Sequence, residues 1–147
     1  MGLFTQEQVL QSKCWIFDEA GGMRDQLEQS ILQNLQAKRY PLRATIETLK
    51  SGGILGTKEQ CVVVDIDKGK RVVIANTTVG VYLYVGVYLL GTFLNGGGAI
   101  VAEPINDFFA MQQREAVYAA AIAAVESAFV ALELKQSNSG YKTISNS

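Results

Sequence analysis

Hydrophobic and polar positions repeat with two different periods along this chain, and each period predicts its own kind of element. At the centre, Val79, Val81, Leu83, Val85, Val87 and Leu89 share one parity, and Gly80, Tyr82, Tyr84, Gly86 and Tyr88 share the other. A period of two marks a strand, because successive side chains point to opposite faces. The pattern predicts one strand over residues 79–93, bent at Gly86 or Gly91 and longer than the common ~5–6 residues. Upstream, Leu42, Ala44, Ile46 and Thr48 alternate with Arg43, Thr45 and Glu47, a strand with one wet face. Residues 60–67 repeat the signal with Val62, Val64 and Ile66. Asp67-Lys68-Gly69-Lys70 then reads as a hairpin turn, with Arg71–Ala75 returning. Asn76-Thr77-Thr78 reads as a kink, bulge or further turn. Asn95-Gly96-Gly97-Gly98 turns the chain again, and Ala99–Ala102 can add a short strand.

The flanking regions carry the helical period. Residues 4–38 read as two helical segments divided at Gly21-Gly22. Thr5 and Gln8 form a candidate capping box for the first. In the second, Met23, Leu27, Ile31, Leu32 and Leu35 recur at steps of three and four, with Arg24, Asp25, Glu28 and Gln29 elsewhere. That is a one-sided amphipathic helix, closed by Lys38, Arg39 and Pro41. Pro104 and Asn106-Asp107 open a long C-terminal helix running to about Lys135, with Tyr118, Ile122, Val125, Phe129 and Leu132 on its apolar face. Alanines fill much of the remainder, so it is apolar nearly all round and expected to be buried on several sides. The order is helices, strands, helix, without β-α-β alternation, which argues against a parallel sheet. The fold class is therefore α+β: N-terminal helices, an antiparallel meander of 3–5 strands, and a long C-terminal helix packed on one face. Residues 1–136 are expected to form one domain, and 137–147 a polar, flexible tail.

Charge sharpens this picture. No charged residue lies between Arg71 and Glu103, whereas residues 1–71 hold ten Lys/Arg and nine Asp/Glu. The aliphatic parity of the central strand matches the apolar faces of the helices. The Tyr parity would then fall on the outer face, where an uncovered Tyr/Gly surface would be unusual for a soluble monomer; the alternative is that Tyr82, Tyr84 and Tyr88 pack in the core under a helix, each hydroxyl with a polar partner at an edge. Formal net charge is −1 and no basic run occurs, so binding to nucleic acid through phosphate neutralisation is not expected. Low net charge also favours self-association.

Candidate chemistry is sparse. The chain has no histidine, which removes the commonest general base and the commonest zinc ligand. Cys14 and Cys61 are far apart and form no metal-ligand set. With no signal-peptide pattern ahead of them, they are expected to be buried, reduced thiols of a cytoplasmic protein. Asp65 and Asp67 share a face at a strand end and are weak candidates for a cation, although acids flanking a turn beside Lys68, Lys70 and Arg71 need no ion. Gly52-Gly53-Ile54-Leu55-Gly56-Thr57-Lys58 has the wrong spacing and order for a phosphate loop. No cofactor is implied.

Tyr82, Tyr84 and Tyr88, with Gly80 and Gly86 leaving hollows beside them, are the candidate binding residues. The expected function is a non-enzymatic interaction or assembly module that self-associates or binds a protein partner through this face or the Ala-rich helix. One alternative is an apolar small-molecule or lipid carrier with a cavity between sheet and C-terminal helix. Another is membrane association through residues 79–102, long enough to span as a helix but built on a strand period. An enzyme without histidine would draw on Asp, Glu, Lys, Tyr or Cys, and no nucleophile–base spacing is recognisable here.

Overall fold

The uncharged Tyr strand is an interior strand of one antiparallel sheet. The computed structural model describes residues 5–37, 43–50, 58–67, 70–94, 108–134 and 144–146. In chain order the elements are β1 (Thr5–Phe17), a short 3-10 turn (Gly21–Met23), α1 (Arg24–Ala37), β2 (Ala44–Lys50), β3 (Lys58–Asp67), β4 (Lys70–Val79), β5 (Tyr82–Leu94), α2 (Phe108–Ala131) and the three-residue β6 (Ile144–Asn146). The sheet order is β2-β3-β4-β5-β1-β6, and every pairing is antiparallel. The two helices pack on one face, so the fold is α+β.

The helix-facing layer comes from one parity of each strand. Val62, Val64 and Ile66 of β3, Val72 and Ile74 of β4, and Leu83, Val85, Val87 and Leu89 of β5 form a single buried cluster with Leu27, Ile31 and Leu35 of α1. From α2, Tyr118, Ala121, Ala124, Val125, Ala128 and Phe129 join it. Phe129 stands edge-on to Trp15 at 5.1 Å and to Phe17 at 4.5 Å between ring centroids, geometries that aromatic quadrupoles favour. Asn34 of α1 donates its side-chain amide to the Ala124 carbonyl (3.0 Å), tying the helices together. α2 ends in paired return bonds, Leu134 N–H to Phe129 O and Glu133 N–H to Val130 O. They are formed with Glu133 at φ 57°, where glycine is usual.

Two expectations need correction. Residues 5–17 form β1, not the first helical segment. Gln, Glu, Leu and Lys favour a helix locally, but pairing with β5 along the whole strand overrides that preference. Asn76-Thr77-Thr78 does not turn: β4 runs through it to Val79, and the two-residue loop Gly80-Val81 makes the hairpin instead. Gly80 has φ +59° and Val81 does not share the positive φ, the pattern of a type II′ turn, so the Tyr strand begins at Tyr82. Neither Gly86 nor Gly91 interrupts the β4–β5 ladder; the sheet's irregularity on this side is a bulge in β1 between Val9 and Gln11.

Asp67↔Lys70 pairing bears out the β3–β4 hairpin. Residues 82–94 are a strand bonded on both sides, not part of a helical span. Among the described residues no helix is long and apolar enough to cross a membrane. In the segment expected to be a tail, Ile144–Asn146 pair with Ser12–Cys14 of β1. The closing residues Lys38, Arg39 and Pro41, the Gly52–Lys58 loop up to Thr57, Lys68-Gly69, the Asn95–Gly98 turn, the Ala99–Ala102 strand and the Pro104 helix opening lie outside the described residues.

Candidate functional site

The sheet face turned away from α1 and α2 carries the other parity. The register sets Tyr84 between Ile16 of β1 and Thr77 of β4, and Tyr88 between Ser12 and Val73. Gly86 lies between Cys14 and Ala75. The structure thus brings Tyr82, Tyr84, Gly86 and Tyr88 together on the outer face, whereas Gly80 sits apart, in the turn.

The face is not uniformly open. Cys61, Val63 and Val73 form a second buried cluster, with Leu49, Ala75 and Leu90 packed around it. Gly86 is buried because the Tyr88 ring lies over it: a Cβ added at Gly86 would overlap the ring and its hydroxyl. The Tyr88 hydroxyl stands 3.7 Å from the Cys14 sulfur. Gly86 therefore does not leave a hollow for a ligand; its hollow is filled by Tyr88. At the far end Arg71 grips Glu7 with two bonds of 2.7 Å, from Nε and from an outer guanidinium nitrogen. That hydrogen bond is the main cause of the raised Arg71 pKa. Burial, then the charge of Glu28, pushes the Cys61 thiol up to about 11, so it stays protonated and unreactive near neutral pH.

On this sheet face the largest apolar exposure is at the β4–β5 hairpin. Val79 is 64% exposed, Val81 57% and Tyr82 38%. This apolar tip is braced from behind. Ala20 and Gly21 both donate their N–H groups to the Val81 carbonyl (2.9 and 3.0 Å), and the Thr78 hydroxyl donates to the Gly21 carbonyl (2.9 Å). A Cβ at Gly21 would collide with the Gly80 carbonyl oxygen, so glycine permits this close approach. The tip is a pre-ordered apolar knob, a feature visible in the sequence only as Val79-Gly80-Val81.

Asp65 and Asp67 pair across the hairpin with Arg71 and Lys70, with a register shift between them. Each acid therefore has a cationic residue opposite. No group of three His, Cys, Asp or Glu side chains is placed to hold a metal ion among the described residues.

One polar cluster lies on the helix side, not evident from the sequence. Arg24, at the start of α1, donates to the Asn76 carbonyl (2.7 Å), the Gln60 carbonyl (2.8 Å) and Glu28 Oε2 (3.3 Å). One guanidinium thereby clamps the helix to β3 and β4. Glu28 is buried, and desolvation raises its pKa against the opposing pull of Arg24. Its Oε1 and both side-chain polar atoms of Asn76 are buried without a hydrogen-bond partner. Elsewhere, the Tyr118 hydroxyl of α2 and Gln11 Oε1 of β1 are also buried without partners. Arg114 is buried one turn before Tyr118. Burial, with Cys14 and Glu115 adding to it, pushes the Tyr118 pKa up to about 12.

The chain matches no protein-family model, and no curated protein is similar to it in sequence.

Proposed function

We propose that this chain is a non-enzymatic protein-interaction module that works in the cytoplasm and engages its partner through the outer sheet face, with the β4–β5 hairpin as the contact. The observation that carries this reading is the braced tip, which presents Val79, Val81 and Tyr82 to solvent on backbone held by three hydrogen bonds. Exposed apolar side chains on an ordered scaffold lose little entropy when a partner covers them, and contact energy concentrates on such anchors. Tyr84 and Tyr88 extend the uncharged surface inward from the tip, half-buried. Buried, free Cys14 and Cys61 suit a reducing compartment.

The test compares the native chain with Val81→Asp. Val81 occupies the exposed second loop position, where a polar residue leaves the hairpin intact. Capture from an extract of the protein's own cells, quantified by mass spectrometry, is expected to show a partner retained by the native chain and lost by the variant. Identical profiles would sink the proposal.

A second reading is favoured by a different observation. The Tyr118 hydroxyl and Gln11 Oε1 are buried without partners, and polar anchors of this kind in an apolar layer would suit an apolar-ligand or lipid site. Native mass spectrometry without a copurifying ligand, together with no uptake of an apolar dye, would count against it.

A further inference from the structure

The braced tip of the β4–β5 hairpin stands in a fixed electrostatic setting. The Ala20 N–H reaches the Val81 carbonyl at 2.9 Å, so Glu19 and Asp18, one and two residues earlier, are anchored beside Val81. Glu19 takes φ 55° as the chain enters this brace. Both acids are exposed, and Asp25, in the first turn of α1, has a side chain 93% exposed. The cations are engaged or distant. Arg24 turns its guanidinium inward to the Asn76 and Gln60 carbonyls and Glu28, and reaches Asp25 with one nitrogen. Arg71 and Lys70 lie at the other end of β4, eight and nine residues from Val79, roughly 27–30 Å at ~3.3 Å each. The start of β3 adds one residue of each sign, Lys58 and Glu59. We propose that the tip docks into an apolar pocket rimmed by Lys or Arg on a protein partner, with Asp18 and Glu19 as the facing charges. The proposal rests on the reading of the hairpin as the contact and supplies the partner's chemistry.

Charge complementarity selects this occupant. Val79, Val81 and Tyr82 form an apolar centre and the carboxylates its edge, the layout of an interface with an apolar core and a polar rim. A protein that covers the tip brings its own rim within the ~8 Å over which exposed charges act at physiological salt. An acidic rim is repelled there and a basic one attracted, and like charges brought face to face are what exclude wrong partners. The same sign disfavours an anionic surface. A phosphodiester backbone or a bilayer of anionic lipid would approach against Asp18 and Glu19. Rim charges act on association rate and specificity more than on final affinity, so their contribution is expected to depend on salt, while that of Val81 is not. α2, expected to be covered on several sides, leaves Phe109 80% and Val130 79% exposed, but the hairpin tip is the surface whose charged surroundings specify a partner.

A random peptide library displayed on phage tests this, selected on the native chain and counter-selected on Val81→Asp, which removes peptides held by charge alone. Clones that depend on Val81 are expected to carry aliphatic or aromatic residues flanked by more Lys and Arg than Asp and Glu. One such peptide, synthesised, should bind Asp18→Asn/Glu19→Gln at least about threefold more weakly than the native chain at low salt. The difference should vanish at about 1 M salt, where the screening length is ~3 Å. Circular dichroism of the variants should match that of the native chain, and Val81→Ser replaces Val81→Asp as counter-selector if the acid disturbs the hairpin. Val81-dependent clones without a basic excess, or a peptide bound equally by the neutralised variant at low salt, would overturn the proposal and leave the hairpin as the contact. A library that yields no Val81-dependent clone would overturn both. Vesicles of phosphatidylserine that bind the native chain and release Val81→Asp would assign the tip to a membrane and overturn the proposal as well.

Discussion

Replacing Arg24 with Met removes the clamp between α1 and the sheet while keeping most of the aliphatic stem. The bonds to the Asn76 and Gln60 carbonyls and the ion pair with Glu28 vanish. The bond to Asp25 also goes, but that carboxylate is 93% exposed and its loss costs little. The serious consequence is a buried Glu28 carboxylate without its cation. Breaking a buried pair from one side costs about 3–5 kcal/mol. Arg24 is one-fifth exposed, so the loss at pH 7 is expected to be about 2–4 kcal/mol after discounting for solvent. Trp15, the only tryptophan, lies in the core against Phe129 and reports urea unfolding by fluorescence. At a typical slope of ~1–3 kcal/mol/M the midpoint should fall by about 1–2 M.

The pH dependence follows from the direction of the Glu28 shift. Its folded pKa is raised, so its contribution to stability is fully present below the unfolded value and is lost as pH rises through the folded one. Without Arg24 the opposing pull is gone and the folded pKa rises further. The gap between variant and native chain should therefore narrow between pH 7 and pH 5. The double variant Arg24→Met/Glu28→Leu should recover more than half of the loss, because no uncompensated charge remains. A loss under about 1 kcal/mol, a gap that does not narrow in acid, or additive single losses would refute this account of the clamp.

Three further substitutions probe the backbone. Glu133→Gly should raise stability by about 0.5–1 kcal/mol in the same urea assay, since the left-handed residue at the end of α2 no longer carries a Cβ. Gly80→Ala should cost about 1–2 kcal/mol, because the hairpin needs φ near +59° there, and Gly80→Asn should recover part of it. Gly86→Ala should destabilise by about 1–2 kcal/mol although alanine is the better strand residue, since the Tyr88 ring must leave its place. Faster labelling of the Cys14 thiol in the folded Gly86→Ala variant would report that movement; unchanged labelling and unchanged stability would show that the ring does not depend on the space.

The parity of the central strand was legible because burial on the helix side selects one residue in two. Leu83, Val85, Val87 and Leu89 face α1 and α2, and the tyrosines face away. The amphipathic stripe of α1 was legible for the same reason. β1 was not, because what makes residues 5–17 a strand is a partner far along the chain, while local preference favours a helix. The hairpin at Gly80 was obscured by Asn76-Thr77-Thr78, whose residue types suggest a turn although β-branched threonines also suit a strand. The Arg24 clamp was hidden by residue type, not by spacing: Arg24 and Glu28 fall on the same arc of α1 as Ile31 and Leu35, but charged residues there read as part of a wet side, and Glu28 is buried. On the outer face the Tyr row was legible, but not that Tyr88 would fold back over Gly86.

The position of β1 in the sheet has a kinetic consequence. β2 to β5 form a meander of neighbours, and each hairpin can close as soon as it is made. β1 must wait for β5, since its paired residues lie roughly 65–90 positions away, and closing such long loops makes non-local pairing slow. At ~5–20 residues per second, β1 spends several seconds on the ribosome before its partner strand exists. During that interval Trp15 and Phe17 have neither β5 beside them nor Phe129 above them. β1, made before the rest of the sheet, is among the last strands to be secured, and the waiting chain is the state most exposed to chaperones and to aggregation.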